Sequence, residues 1–215
     1  MKYAGRKAAV MCAAERIERR KRVNVLLKEI VRKVIHLCAA LVPLFLYAAF
    51  TPAIITLFAL LALYCAAEFL RFQGITVPYI SAITAAAARK RDENTFVLGP
   101  VTLTLGIIIT ALVFDPVSAR IGILALAFGD GLASLVGKCF GKIKVPFTRG
   151  KTCAGCLACW TAVFISTFTV TRRADTSLIM AFAGMALELI PLRDFDNLIL
   201  PIGLAALNYF AARIS

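Results

Sequence analysis

Long apolar runs separated by short polar stretches organise this chain from residue 34 onward. Runs of about 17 to 25 apolar residues are long enough for a helix to cross a hydrocarbon core of about 30 Å. The pattern therefore predicts seven spans, at residues 34–50, 52–70, 96–114, 116–136, 153–170, 177–191 and 198–212. Pro52 and Pro116 suit the first turn of a helix, where a missing N–H would be unpaired anyway. The short alternating segments that a membrane β-barrel requires are missing. The expected fold is all-α, a polytopic membrane helical bundle of about seven transmembrane helices.

Ahead of the first run, residues 13–33 place Ile17, Val23, Leu26, Leu27, Ile30 and Val31 near one side of a helix that is otherwise strongly basic. That pattern predicts an amphipathic helix lying at a membrane surface. It runs into a full-length apolar span, which argues against a cleaved signal peptide. The expected organisation is a basic cytoplasmic or interfacial segment, 1–33, followed by one multi-pass catalytic domain, 34–215. No linker, repeat or low-complexity stretch divides the second part.

Composition agrees with lipid as the solvent: 60% of the 215 residues are hydrophobic and 17% charged. The formal net charge of +13 is distributed unevenly across the predicted topology. Twenty-one Lys and Arg fall on the N-terminal side and four, Arg120, Arg172, Arg173 and Arg213, on the other. By the positive-inside rule the N-terminus and the two larger loops are cytoplasmic. The charge is then a record of topology, with anionic membrane lipids as its expected partner rather than nucleic acid, for which no recognition motif is present. Small size points to a bacterial plasma membrane, with the endoplasmic reticulum as the alternative. The oligomeric state is left open.

An ionisable residue inside an apolar span costs about 2.5 to 3.5 kcal/mol to insert, so it faces a protein interior or a watery cavity and does chemistry. Asp130 is such a residue, about two turns inside the cytoplasmic end of the 116–136 run. On the predicted topology it shares that side with His36, Glu68, Arg71, Glu188, Asp194, Asp196 and Asn197, and with Lys138, Lys142, Lys144, Arg149, Lys151 and Arg193. Carboxylates grouped with cations suit a divalent metal and a polyphosphate, because hard oxygen ligands hold Mg²⁺ and Lys or Arg neutralises phosphate oxygens.

The order of these residues resembles the CTP-dependent lipid kinase family that includes dolichol kinase, phytol kinase and the CTP-using diacylglycerol kinase. The resemblance rests on Arg32-Lys33-x-x-His36, Glu68-x-x-Arg71, the stretch from Arg89 to Glu93, and Gly99 with Gly106. It continues through Gly129-Asp130-x-x-Ala133-x-x-x-Gly137-Lys138-x-x-Gly141-Lys142, Gly150-Lys151-Thr152-x-x-Gly155, Glu188, and Asp196-Asn197-Leu198-x-x-Pro201. Ala154 departs from the pattern, standing where the family's element usually carries Glu. The resemblance implies transfer of the terminal phosphoryl group of CTP, with Mg²⁺, to the hydroxyl of a polyprenol, dolichol, phytol-like prenol or diacylglycerol. Asp130 and Asp196, with Asn197 beside them, are the expected metal residues. Lys138, Lys142 and Lys151 are the expected phosphate binders, together with Thr152. Glu188 or His36 would orient or deprotonate the lipid hydroxyl. Gly129, Gly137, Gly141 and Gly155 permit close approach of either a phosphate or a neighbouring helix.

Several of these features also have purely structural readings. Gly137-x-x-x-Gly141 is a helix-packing motif, Asp196-Asn197 suits a helix cap, His36 suits a hydrogen-bonded interior imidazole, and Glu68 with Arg71 forms an i,i+3 pair. Gly150-Lys151-Thr152 fails as a P-loop, because its first glycine would fall at Val145. Cys153, Cys156 and Cys159 have cluster-like spacing but begin an apolar span and lack a nearby fourth ligand. No structural disulfide is expected. Two other functions fit parts of the pattern: a phosphatidate cytidylyltransferase, and a small transporter with Asp130 as an ion or proton relay.

Overall fold

A computed structural model describes residues 2–75, 96–148, 150–192 and 194–214. Residues 89–93, Arg149 and Arg193, singled out above, lie outside the described residues. Those described are helical, with one isolated antiparallel bridge between Lys144 and Thr152. In chain order the helices are α1 (Lys2–Cys38), α2 (Val42–Ala48), α3 (Phe50–Phe72), α4 (Gly99–Val113), α5 (Pro116–Leu124), α6 (Gly131–Phe140), α7 (Cys153–Thr171), α8 (Ala174–Leu189) and α9 (Asp196–Ile214).

Helix α1 runs through residues 33 and 34 without a break and ends at Cys38. The interruption lies at Pro43, whose ring nitrogen cannot donate to the carbonyl four residues back. The chain tightens there into a 3₁₀ turn, Ala39–Leu41, and resumes as α2. Ala49, at φ −156° and ψ 82°, then separates α2 from α3. Pro52 falls in the first turn of α3, where a proline is tolerated.

Four stretches are long and apolar enough to cross a membrane: Leu27–Ala48, Phe50–Phe72, Pro116–Phe140 and Cys153–Thr171. The expectation of seven is met in part: among the described residues these four have the length and composition to span. Helices do form in the other three predicted spans, but α4 has 15 residues and α8 has 16, short of the length of about 20 needed to span. The third, α9, begins at Asp196 and contains Pro201 and buried Asn197 and Asn208.

The long helices differ in burial. In Pro116–Phe140, 61% of the apolar window is buried, against 11% in Phe50–Phe72. The first is therefore the axis of the bundle, and its Ile121, Ile123 and Leu126 pack with Val163 of α7, Met180 of α8 and Leu204 of α9. The second lies at the periphery and turns Ile55, Phe58, Leu60, Leu63 and Phe69 outward. Exposing that much apolar surface to water costs about 25 cal/mol per Å², so lipid is the solvent that suits this face.

Two polar devices fix the bundle's ends. Asp115 caps α5, accepting hydrogen bonds from the N–H groups of Val117 (3.0 Å) and Ser118 (3.1 Å) ahead of Pro116. Burial disfavours the charge, but the hydrogen bonds from Ser118 and Val117 outweigh it and hold the carboxyl below its ordinary value. This contribution is present above the unfolded pKa and is lost as pH falls through the folded one. Asp115→Ala is expected to cost about 1 kcal/mol, read as a lower unfolding temperature in detergent at neutral pH, with the difference from the parent shrinking in acid. At the other end, Glu68 is buried and pairs through both oxygens with Arg71, at 2.7 and 2.8 Å. It also accepts the Val97 N–H at 2.9 Å, and Tyr64 donates its hydroxyl to the Val97 carbonyl at 2.9 Å. Together these bonds pin the approach to α4 onto the end of α3.

Candidate active site

Between α5 and α6 the axis helix widens into a π turn, Ala125–Asp130. Each π turn adds a residue to the helical repeat, rotating the downstream residues by about 100° relative to an unbroken α-helix. Asp130 closes this turn and is 5% exposed. Its Oδ2 accepts a hydrogen bond from Lys33 Nζ at 2.6 Å, and Lys33 is 2% exposed. His36 Nδ1 lies 3.1 Å from the same oxygen without forming a hydrogen bond. Lys33 and His36 stand three apart on α1, so both reach one carboxylate.

One turn before Lys33 on the same face, Glu29 forms a second ion-pair group. Its carboxylate accepts hydrogen bonds from Arg32 and Ser134 at 2.6 Å each and lies 2.6 Å from Lys138 Nζ. Glu29 is buried and ties α1 to α6. It did not emerge from the sequence reading, where it stands as one acid among many cations. The available signal was spacing: Glu29, Lys33 and His36 share a helix face at i, i+4 and i+7.

A third group comes from the opposite wall. Lys151 Nζ lies 3.0 Å from Glu188 Oε1 and also donates to the Glu188 carbonyl. Glu188 is 7% exposed, and its Oε2 is buried without a hydrogen-bond partner. Asp196 accepts a hydrogen bond from the Asn197 N–H at 3.0 Å. The Asn197 side chain donates to the Gly99 carbonyl and the Thr102 hydroxyl, both at 3.3 Å, and so docks α9 on α4.

All three groups line a single cavity of about 360 Å³. Among the described residues, five carboxylates (Glu29, Asp130, Glu188, Asp194, Asp196) and four Lys or Arg (Arg32, Lys33, Lys138, Lys151) face it, with His36. Of the residues picked out from sequence, His36, Asp130, Lys138, Lys151, Thr152, Glu188, Asp196 and Asn197 thus come together, as do Gly137 and Gly155. Gly129, Gly141 and Lys142 do not line the cavity. A methyl group at 129 would meet Val163 and Cys159, and one at 141 would overlap the Gly137 carbonyl and Thr152. Lys142 is exposed on the following loop.

At Gly155 the close neighbour is a helix. A Cβ there would come within 2.7 Å of the Ala133 carbonyl, so glycine is what allows α7 to press against α6. Thr152 caps α7 by accepting the Gly155 N–H at 3.2 Å.

Among the described residues, no three His, Cys, Asp or Glu side chains approach closely enough to form a ready-made metal cage. The donor chemistry still suits Mg²⁺, which takes one or two protein carboxylates and completes its octahedron with water and substrate phosphate. The unpartnered Glu188 oxygen favours an added cation at this cavity.

Fold and site together define an all-helical membrane protein with a buried, ion-paired cavity where its helix ends meet. Relatives of this chain include proteins named phytol kinase and farnesol kinase. It is 27% identical over 165 residues to "Probable phytol kinase 1, chloroplastic" of Glycine max, a match covering 70% of this chain and 50% of the relative. It is 27% identical over 143 residues to "Farnesol kinase, chloroplastic" of Arabidopsis thaliana, covering 65% of this chain and 46% of the relative. An uncharacterised protein of Methanocaldococcus jannaschii is 30% identical over 128 residues, covering 58% of this chain and 63% of the relative. The chain spans about half the length of the plant relatives it matches. No family profile and no solved structure matches it.

Proposed function

We propose that this chain is a membrane lipid kinase that transfers the terminal phosphoryl group of CTP, carried with Mg²⁺, to the hydroxyl of a prenol-type lipid alcohol. The substrate class is taken from the names of the phytol and farnesol kinases above. The observation that carries the reading is Glu188, a buried carboxylate with one oxygen unpartnered, in the same cavity as Asp130, Asp196 and Lys151.

In this reading Asp130 and Asp196 would hold the metal, and Lys138 and Lys151 the phosphate oxygens. A bound divalent ion would supply positive charge opposite the phosphate oxygens. Glu188 orients the lipid hydroxyl and takes its proton as the alcohol oxygen bonds to the terminal phosphorus. The bond from that phosphorus to the bridging oxygen breaks, and CDP leaves. Because the transition state of phosphoryl transfer needs little covalent help, positioning and charge are what the protein contributes. The reading places the cavity on the cytoplasmic side, in line with the Lys and Arg distribution, and has α4, α8 and α9 complete a seven-helix membrane domain.

The test uses purified protein in detergent with Mg²⁺ and, in separate reactions, γ-labelled and α-labelled CTP. The acceptors are farnesol, phytol, geranylgeraniol, a polyprenol, diacylglycerol and phosphatidic acid, with ATP as the competing donor. Label from the γ position entering a prenol is the expected result. Label from the α position entering lipid indicates cytidylyl transfer instead, and no transfer with any pair rejects both enzymes.

A further inference from the structure

The loop between α6 and α7 presents large apolar side chains outward. Phe147 is 99% exposed, Phe140 74% and Ile143 70%. Phe147 also has φ +64°, a left-handed backbone that bulky residues rarely adopt. The loop is nevertheless a built structure. Val145 N–H donates to the Lys151 carbonyl at 2.8 Å, Cys153 N–H to the Ile143 carbonyl at 3.0 Å, and the Thr148 hydroxyl to the Val145 carbonyl at 2.7 Å. These bonds fold the chain back on itself, fixing Phe147 at the tip and directing it away from the protein.

Three further facts identify the surroundings of the tip. The helical stretch Pro116–Phe140 has 25 residues, about 37 Å, which exceeds a hydrocarbon core of about 30 Å, so a span along it would bring Phe140 to headgroup level. Lys142 and Lys144 are exposed and alternate with the apolar residues, the mixture of cations and rings that settles at a membrane interface. The returning arm of the same loop carries Lys151 and Thr152, both of which line the cavity.

We propose that the loop around Phe140, Ile143 and Phe147 inserts into the surface of an anionic bilayer, its rings below the headgroups and Lys142 and Lys144 among the lipid phosphates. The insertion sets the position of the arm that brings Lys151 to the cavity, and it stands independently of which reaction the cavity performs.

The experiment places a fluorophore at the tip. Phe147→Trp is made in a Trp160→Phe background, removing the chain's single native tryptophan, and the full chain is reconstituted into phosphatidylcholine vesicles containing phosphatidylglycerol. If Trp160→Phe impairs assembly, because that ring stacks on Phe164 at 5.5 Å, Trp160 is kept and the signal is read as a difference from the parent. The expected result is blue-shifted emission, shielding from acrylamide, and loss of about half the intensity to lipids brominated near the headgroup end of their chains. Lys142→Gln with Lys144→Gln is expected to weaken that quenching in anionic vesicles and to leave it unchanged in phosphatidylcholine alone. Water-like emission open to acrylamide overturns insertion. Emission shielded from both quenchers also overturns it, indicating a protein contact. Bromolipid quenching that does not respond to the Lys substitutions overturns the anionic component.

Discussion

Asp130→Asn is expected to abolish phosphoryl transfer and to lower folding stability by about 3–5 kcal/mol. The activity loss comes from removing a carboxylate that would hold the metal. The stability loss has a separate cause: Lys33, 2% exposed, donates to Asp130 at 2.6 Å, and removing its partner leaves an uncompensated ammonium in a buried site. A second substitution separates the two effects. Lys33→Met in the same chain removes the orphaned charge with a side chain of similar reach, so the double variant should regain much of the lost stability without regaining activity. Thermal unfolding in detergent reads the first effect and label transfer the second. Substantial turnover by Asp130→Asn would exclude a metal-holding role, and a double variant no more stable than the single one would mean that the ion pair is not what Asp130 contributes to the fold.

Glu188→Gln should leave the protein folded and reduce kcat by about 10²–10⁴, the usual share of a general base. The amide matches the carboxylate in shape, and the bond from Lys151 to the backbone carbonyl of residue 188 does not depend on the side chain. The substitution removes the carboxylate charge, both from the oxygen that has no partner in the buried cavity and from the one 3.0 Å from Lys151, so the Lys151 variant is needed to separate the two. Lys151→Met is the comparison, because a phosphate-binding cation acts through nucleotide affinity and its loss raises KM for CTP. If Glu188→Gln raises KM and leaves kcat intact, Glu188 binds substrate and does not take the proton.

How legible the site was in the sequence can be traced residue by residue. Asp130 stood out because a carboxylate in an apolar run is costly wherever it faces lipid, and it proved to be buried at the centre of the charged cavity. Its companions on the same predicted side, His36, Lys138, Lys151, Glu188 and Asp196, converge on that cavity from α1, α6, the loop before α7, α8 and α9. Lys142 has the same spacing from Lys138 as many helical pairs, yet α6 ends at Phe140, so the turn that would have aligned the two is not helical. Glu29 was hidden by its surroundings: within a basic stretch it reads as a solvated counter-charge, and only the packing of α1 on α6 shows it buried against Ser134 and Lys138.

The sequence by itself determined that this chain is helical and suited to lipid, and it singled out most of the charged residues that line the candidate site. Apolar periodicity and the cost of an isolated charge act locally along a chain, so one dimension suffices to read them. The tertiary structure decided the rest. Among the described residues it gave four helices the length and apolarity to span, opened the axis helix into a π turn at Asp130, and paired buried Asp130 and Glu29 with Lys33 and Lys138 across helices. A π turn and an inter-helix ion pair are chosen by the competing packing of several segments at once, and that competition exists only after the helices have met.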